Sequence, residues 1–154
     1  MRIATRRKPN SDERRRDLCD AAIQLLGTNG ARAVTHRKVD QAAGVPDGTT
    51  SFYFRTRSAL FQAVAERVTE LDLDDLTAVS QTEVHESPSE PSKLAQIVFG
   101  SAEGAGLTRT KARYELALMA VRDPEMTQTL QQSTARFMQL GRDAVAPLRG
   151  GGDQ

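Results

Sequence analysis

The sequence predicts an all-α protein, and three observations carry that expectation. Aromatic residues are sparse at 5% of 154 residues, Trp is absent, and Ala and Leu are frequent, which favours helices over a β-sandwich. Apolar residues recur at helical spacing in several separate stretches. The stretches are divided by Gly and Pro signals such as Asn29-Gly30, Gly44 and Asp123-Pro124.

Taken in order, residues 1–10 are basic and contain Pro9, which predicts a flexible arm. Ser11, Asp12 and Glu13 then supply an N-cap and early acidic groups, favourable at the positive end of a helix. Leu18, Ala21, Ala22, Leu25 and Leu26 form its apolar stripe, and Asn29-Gly30 ends it. Thr35 caps a short second helix whose inward residues are Val39 and Ala43. Gly44 supplies a sharp turn and Val45 an apolar plug. Pro46 suits the first turn of a third helix, where a missing N–H costs little. Two helices of about two turns joined by a Gly turn are a helix-turn-helix pattern.

Thr56 caps a longer helix with the stripe Leu60, Phe61, Val64, Val68 and Leu71, expected to fray or bend near Asp72, Asp74 and Asp75. Residues 80–92, rich in Ser, Thr and Glu with Pro88 and Pro91, read as a loop. A helix then starts with Leu94, Ile97, Val98 and Phe99, weakened at its end by Gly100, Gly104 and Gly106. Another runs from Arg109 to Val121 and a last one from Glu125 to Leu148, with Met126, Leu130, Phe137, Met138, Leu140 and Val145 apolar. Three glycines, Gly150 to Gly152, precede the end as a frayed tail.

The net charge of +1 conceals an asymmetry. Residues 1–67 carry 13 Lys and Arg against 7 Asp and Glu, whereas residues 68–154 carry 8 against 13. That split fits a first half that meets a polyanion, or a solvated basic tail beside an acidic surface. One cysteine, Cys19, excludes an intramolecular disulfide and fits a reducing cytoplasm. No apolar run approaches the roughly 20 residues of a membrane span. Met1 to Lys8 is basic without a following apolar segment, unlike a secretory signal. There is no Gly-rich phosphate loop and no metal-ligand spacing, and His36 and His85 stand in unrelated settings. The expectation is therefore no enzyme, no catalytic residue, no metal and no cofactor.

From Thr35 to Leu60 the chain resembles the DNA-binding region of the TetR family. The residues that carry the resemblance are Thr35, Arg37, Val39, Ala43-Gly44-Val45, Gly48-Thr49, Tyr53-Phe54, Arg57 and Leu60, with the first helix and its Asn29-Gly30 end in support. The resemblance implies a three-helix helix-turn-helix domain over 11–57, a connecting helix over 58–79, the loop 80–92, and a helical ligand-binding and dimerisation domain over 93–154. Arg109 to Leu116 and Ala120 to Met126 are similar to the middle of that domain in one subgroup. Two apolar helices that usually follow and build the dimer interface are not in the sequence, so the regulatory domain is expected to be truncated and the homodimer is in doubt.

In a helix-turn-helix the second helix enters the major groove and the first crosses the backbone. Pro46, Asp47, Gly48, Thr49 and Thr50 are then the leading edge, with Gly48 allowing close approach and the threonines offering hydroxyl and methyl groups. Thr35 suits a phosphate at a helix start, besides serving as a cap. Arg37 and Lys38 add positive charge to the crossing helix, or are plain solvated cations. Tyr53 packs its ring inward with its hydroxyl toward a phosphate, and Arg55 and Arg57 stand where the family clamps the backbone. Asp47 replaces a common Lys, and Ser51 a frequent aromatic, which leaves the operator sequence open.

Phe54 reads as core and His36 as surface. Arg14, Arg15 and Arg16 read as a solvated face or, with Arg2, Arg6, Arg7 and Lys8, as minor-groove contacts. Phe99, Tyr114, Met119, Phe137 and Met138 either line a ligand cavity or are plain core. The implied function is a cytoplasmic, operator-binding repressor modulated by an unidentified small molecule. The rival is a truncated regulator without specific DNA binding that acts as a protein-interaction partner or not at all.

Overall fold

A computed structural model describes residues 10–81 and 92–149. Residues 1–9, 82–91 and 150–154, on which the expected arm, most of the expected loop and the expected tail fall, lie outside the described residues, as do the side chains of Leu94 and Val145. The described residues form helices and turns, without a strand. The helices are α1 (Ser11–Asn29), α2 (His36–Ala43), α3 (Thr49–Tyr53), α4 (Arg57–Gln81), α5 (Lys93–Ala102), α6 (Gly104–Ala120) and α7 (Pro124–Arg149), with a 3-10 turn at Ala31–Ala33.

The N-cap of α1 is Asn10, one residue before the expected Ser11. Its Oδ1 accepts from the Glu13 amide at 2.8 Å while Glu13 Oε2 accepts from the Asn10 amide at 2.9 Å. This reciprocal pair satisfies two donors that a helix start otherwise leaves unmet. The buried face of α1 is Leu18, Cys19, Ala22, Ile23 and Leu26. Ala21 and Leu25, expected inside, are half-buried at its edge, because α1 is covered on several sides by α2, α4 and α6.

One buried cluster runs through the molecule, from Leu18, Val34, Val39 and Phe54 through Leu60, Phe61 and Val64 to Leu116 and Met126. Burial of such side chains contributes roughly 1.5–3 kcal/mol each. Thr56 accepts from the Ala59 amide at 3.0 Å, as a cap for α4 should. That helix does not break at Asp72–Asp75 but continues to Gln81. Two of the acidic residues expected to end it, Asp72 and Asp75, are held by cations of α6. Asp72 accepts from Arg109 Nε at 2.9 Å and from Arg113 at 2.5 Å, and Asp75 pairs with Arg109 as well. Arg67 in turn ties α4 to α1 through two bonds to Asp20, at 2.8 and 3.1 Å, and also pairs with Glu70 at 2.8 Å. The Asp20 bonds, first among several causes, hold the Arg67 guanidinium more firmly protonated than usual.

Helix α6 starts at Gly104, five residues before the expected Arg109, so Gly104 and Gly106 begin this helix rather than weaken the end of the one before. It crosses α1 at Gly27, where an added Cβ would lie 2.2 Å from the Thr108 carbonyl oxygen. Farther along α6, Glu115 accepts from the Ala31 amide at 3.2 Å and so caps the 3-10 turn. Asp123 starts α7 by accepting from the amides of Glu125 at 3.0 Å and Met126 at 3.1 Å.

Cys19 is 4% exposed, and burial, assisted by the neighbouring Asp20 charge, pushes its thiol from 9.0 up to about 12. The folded chain therefore keeps this proton over a range in which the unfolded chain, titrating near 9.0, loses it. Stability from this group is full below pH 9.0 and declines as pH rises toward about 12. At pH 8 a disulfide reagent is expected to leave the native thiol unmodified and to react with one equivalent in denaturant. Prompt reaction of the native protein would show that α1 opens far more readily than its packing indicates.

Candidate functional site

The turn between α2 and α3 is fixed by backbone conformation and by one carboxylate. Thr35 caps α2, its Oγ1 accepting from the Lys38 amide at 3.3 Å, and Gly44 ends it in the left-handed region at φ 64°. Gly48, at φ 92°, precedes α3 in the same region. Neither conformation suits a residue with a Cβ.

Asp40 lies between the two helices, 1% exposed. Its Oδ2 accepts from the Gly48 amide at 2.8 Å, and its Oδ1 accepts from the Thr50 amide at 2.7 Å and the Thr50 hydroxyl at 2.5 Å. A carboxylate on α2 thus does for α3 what an N-cap side chain does locally, meeting donors at the helix start and complementing its positive end. Asp40 was not among the residues that the sequence singled out. Its only signal is a carboxylate beside inward-facing Val39, nine positions before a helix start without a side-chain cap of its own.

Several expectations need correction. Helix α3 is five residues long, shorter than two turns, and Pro46 lies before it rather than in its first turn. The Pro46 carbonyl accepts from the amide and hydroxyl of Thr49, at 3.2 and 2.6 Å. Thr50, expected at the leading edge, is fully buried with its hydroxyl bound to Asp40, so it has no surface for a base or phosphate. Arg57, expected as a backbone clamp on DNA, is exposed, with its guanidinium bound to the protein's own backbone. It donates to the carbonyls of Val34 at 3.0 Å and Ala31 at 2.8 Å and lies over the Phe61 ring, 4.8 Å from its centre. His36 is half-buried rather than superficial. Its Nε2 lies 2.7 Å from the Phe54 carbonyl oxygen, which requires the ring to donate there.

The remaining residues make a continuous outer edge. Thr35, Arg37, Lys38, Asp47, Gly48, Ser51 and Arg55 are exposed, Thr49 and Tyr53 are half-buried, and Phe54 is core. Asp47 lies 3.8 Å from Arg37, so its charge is partly answered within the protein. Arg15 donates to the Tyr53 carbonyl at 3.2 Å and lies 4.6 Å over the Phe54 ring, which makes it a brace for α3 rather than a free cation. Arg14 pairs with Asp17 and Arg16 with Glu70. Arg2, Arg6, Arg7 and Lys8 lie outside the described residues.

Away from this edge, α4 to α7 enclose a cavity of about 770 Å³. Ala65, Val68, Ile97, Leu116, Leu130 and Phe137 supply apolar wall, and Asp72, Asp75, Arg109 and Arg113 are its charged lining. Of the five residues considered for a cavity, Phe137 alone lines it. Phe99, Tyr114 and Met138 are exposed at 61%, 69% and 53%, and Met119 packs at the edge of the core. Helical spacing gave the apolar positions but not which way α5 and α6 turn. No helix among the described residues is long and apolar enough to cross a membrane.

Comparison with known proteins agrees with this geometry. The family described as "Bacterial regulatory proteins, tetR family" matches residues 18–64, which span most of α1, all of α2 and α3, and the start of α4. A comparison with curated proteins finds no match. Among solved structures, the multidrug binding protein EbrR complexed with ethidium is 28% identical, with a TM-score of 0.61 over 90% of this chain and 76% of that one. SCO1917 from Streptomyces coelicolor, a member of the TetR family, is 27% identical with a TM-score of 0.60 over 86% of this chain and 78% of that one. A protein from Rhodococcus shares the fold at 20% identity and a TM-score of 0.65, over 91% and 73% of the two chains. Residues 18–64 thus match the DNA-binding domain of the bacterial regulatory proteins of the tetR family, and the chain as a whole is similar in fold to TetR-family structures.

Proposed function

We propose that this chain represses transcription by binding operator DNA with α2 and α3, and that a small molecule in the α4–α7 cavity modulates that binding. The observation that carries the reading is the outer edge of the α2–α3 unit. It combines exposed Arg37, Lys38 and Arg55 with the hydroxyls of Thr35 and Ser51 on a turn locked by Asp40. Cations and hydroxyls suit phosphates, and an open Gly48 lets backbone approach the duplex. The cavity is within the size range of small-molecule sites and is walled mainly by apolar side chains. EbrR, whose structures are described with ethidium and with proflavin, supports a small-molecule role for that cavity.

Two reading heads at fixed spacing multiply their affinities, so a homodimer suits this function better than a single head. The competing reading, a regulator that lacks specific DNA binding and acts through protein contacts, draws on exposed Leu118 of α6 and exposed Val121 just after it.

A gel-shift series with DNA flanking the gene, against excess non-specific duplex, separates these readings. Specific retention is expected, weakening steeply as salt rises. Lys38→Ala is expected to weaken binding to all duplexes about equally and to lower the salt slope by about 1. Smearing that salt abolishes, with no preference among duplexes, would leave the protein-contact reading in place. Sedimentation showing only monomer at micromolar concentration would remove the dimer.

A further inference from the structure

Phe52 is 79% exposed although it stands within α3, fourth of its five residues. On that helix Thr50 is buried, Tyr53 is half-buried and the following Phe54 is buried, so the inward face is fully assigned. Helical spacing then puts Ser51 and Phe52 on the outward face, with Gly48 one turn before them. The Phe52 ring is not loose. It meets the Tyr53 ring edge-on, with centres 5.2 Å apart and planes at 84°. A phenyl group held this way gives up little freedom on binding. The exposed residues of the same α2–α3 unit are polar or cationic: Ser51 beside it in sequence, Arg55 just after α3, and Arg37 and Lys38 on α2.

An apolar knob within a polar, cation-rimmed edge needs a surface of matching pattern. The major groove has one, in which phosphates flank base edges and the apolar group is the C5 methyl of thymine. We infer that Phe52 is a specificity-determining residue that reads a thymine methyl in the major groove. This inference rests on the proposed DNA binding and adds a base preference to it. The ring has no polar atom, so it selects a thymine by contact with the methyl group and not by hydrogen bonding.

The test begins with selection from a random-sequence duplex pool by the wild-type chain. Each dT of the enriched sequence is then replaced in turn by dU, which removes the methyl and keeps the pairing. Wild type is expected to lose about fourfold in affinity at one thymine, the worth of one buried methyl group. Phe52→Ala is expected to bind the dT and dU versions of that position equally well, and Phe52→Leu to restore part of the difference. Because the side chain is exposed, the melting temperature of both variants should match wild type.

Equal wild-type affinity for dT and dU at every position overturns the assignment, and so does an unchanged dT-to-dU ratio in Phe52→Ala. In either case an enriched sequence still leaves DNA binding standing. If the wild-type pool stays unenriched even at low salt, DNA binding itself fails and the assignment fails with it.

Discussion

Replacing Asp40 with alanine is expected to lower unfolding stability by roughly 3 kcal/mol and to weaken DNA binding beyond that loss. The carboxylate receives three hydrogen bonds, from the amides of Gly48 and Thr50 and from the Thr50 hydroxyl. Without it, Thr50 keeps a donor pair in a fully buried position. An unmet buried donor costs about 1–3 kcal/mol, whereas the exposed Gly48 amide recovers part of its loss from water. For a chain of this size the change corresponds to a fall in melting temperature of roughly 6–12 °C.

The effect on binding has a separate cause. Helix α3 has no side-chain cap apart from this carboxylate, so its start would lose the tie that sets its angle to α2. Gly48, Ser51 and Phe52 would then lose their fixed placement relative to Arg37 and Lys38. Asp40→Asn keeps an acceptor oxygen but turns an NH2 group toward one of the same donors, and an intermediate loss is expected. Thr50→Val in the Asp40→Ala background should cost less than it does alone, since its partner is already gone. Denaturant melts of the four variants and wild type check the pattern, with DNA titrations well below every melting transition. A melt for Asp40→Ala within about 0.5 kcal/mol of wild type would mean that α3 is held by packing alone.

The same residue marks where the sequence stops being readable. Helix boundaries are set by local signals, and Thr35, Gly44, Thr56 and Asp123 act as their identities suggest. The family pattern from Thr35 to Leu60 also locates the helix-turn-helix, because it is a dense run of turn, core and cap residues. Long-range pairing is another matter. Asp40 meets Thr50 across a turn, Arg57 reaches back to Ala31 and Val34, and Asp72 meets Arg109 and Arg113 from another helix. Each is a charged residue that composition assigns to solvent and that tertiary packing puts to structural use.

The cavity was hard to read for a related reason. On α5 and α6 apolar residues occupy more than one face, so Phe99 and Tyr114 face outward while small residues such as Gly100, Ala105 and Gly106 line the space. Aromatic residues suggest a cavity wall to a reader of sequence, whereas a cavity is most easily formed where side chains are small.

The second large effect is expected where α1 crosses α6. Gly27→Ala is expected to cost about 2–3 kcal/mol even though alanine favours a helix over glycine by about 1 kcal/mol. The new Cβ would lie 2.2 Å from the Thr108 carbonyl oxygen and 2.7 Å from its Cγ2. The methyl can turn away, but the carbonyl belongs to the α6 backbone, so the two helices must part by roughly an ångström in a close-packed interior. Thr108→Ala in the Gly27→Ala background should therefore restore only a small part of the loss. Gly141→Ala on α7 is the matched control. There the nearest atom is Leu76 Cδ2 at 3.9 Å, and the helix preference acts unopposed, so a slight gain is expected. The crossing also joins the two proposed activities, because α1 packs on α2 while α6 contributes Arg109 and Arg113 to the cavity. Helices forced apart at Gly27 should thus change DNA affinity at temperatures where the variant is fully folded. If Gly27→Ala melts like Gly141→Ala, the contact is not as close as described, and α1 and α6 have room to move past one another.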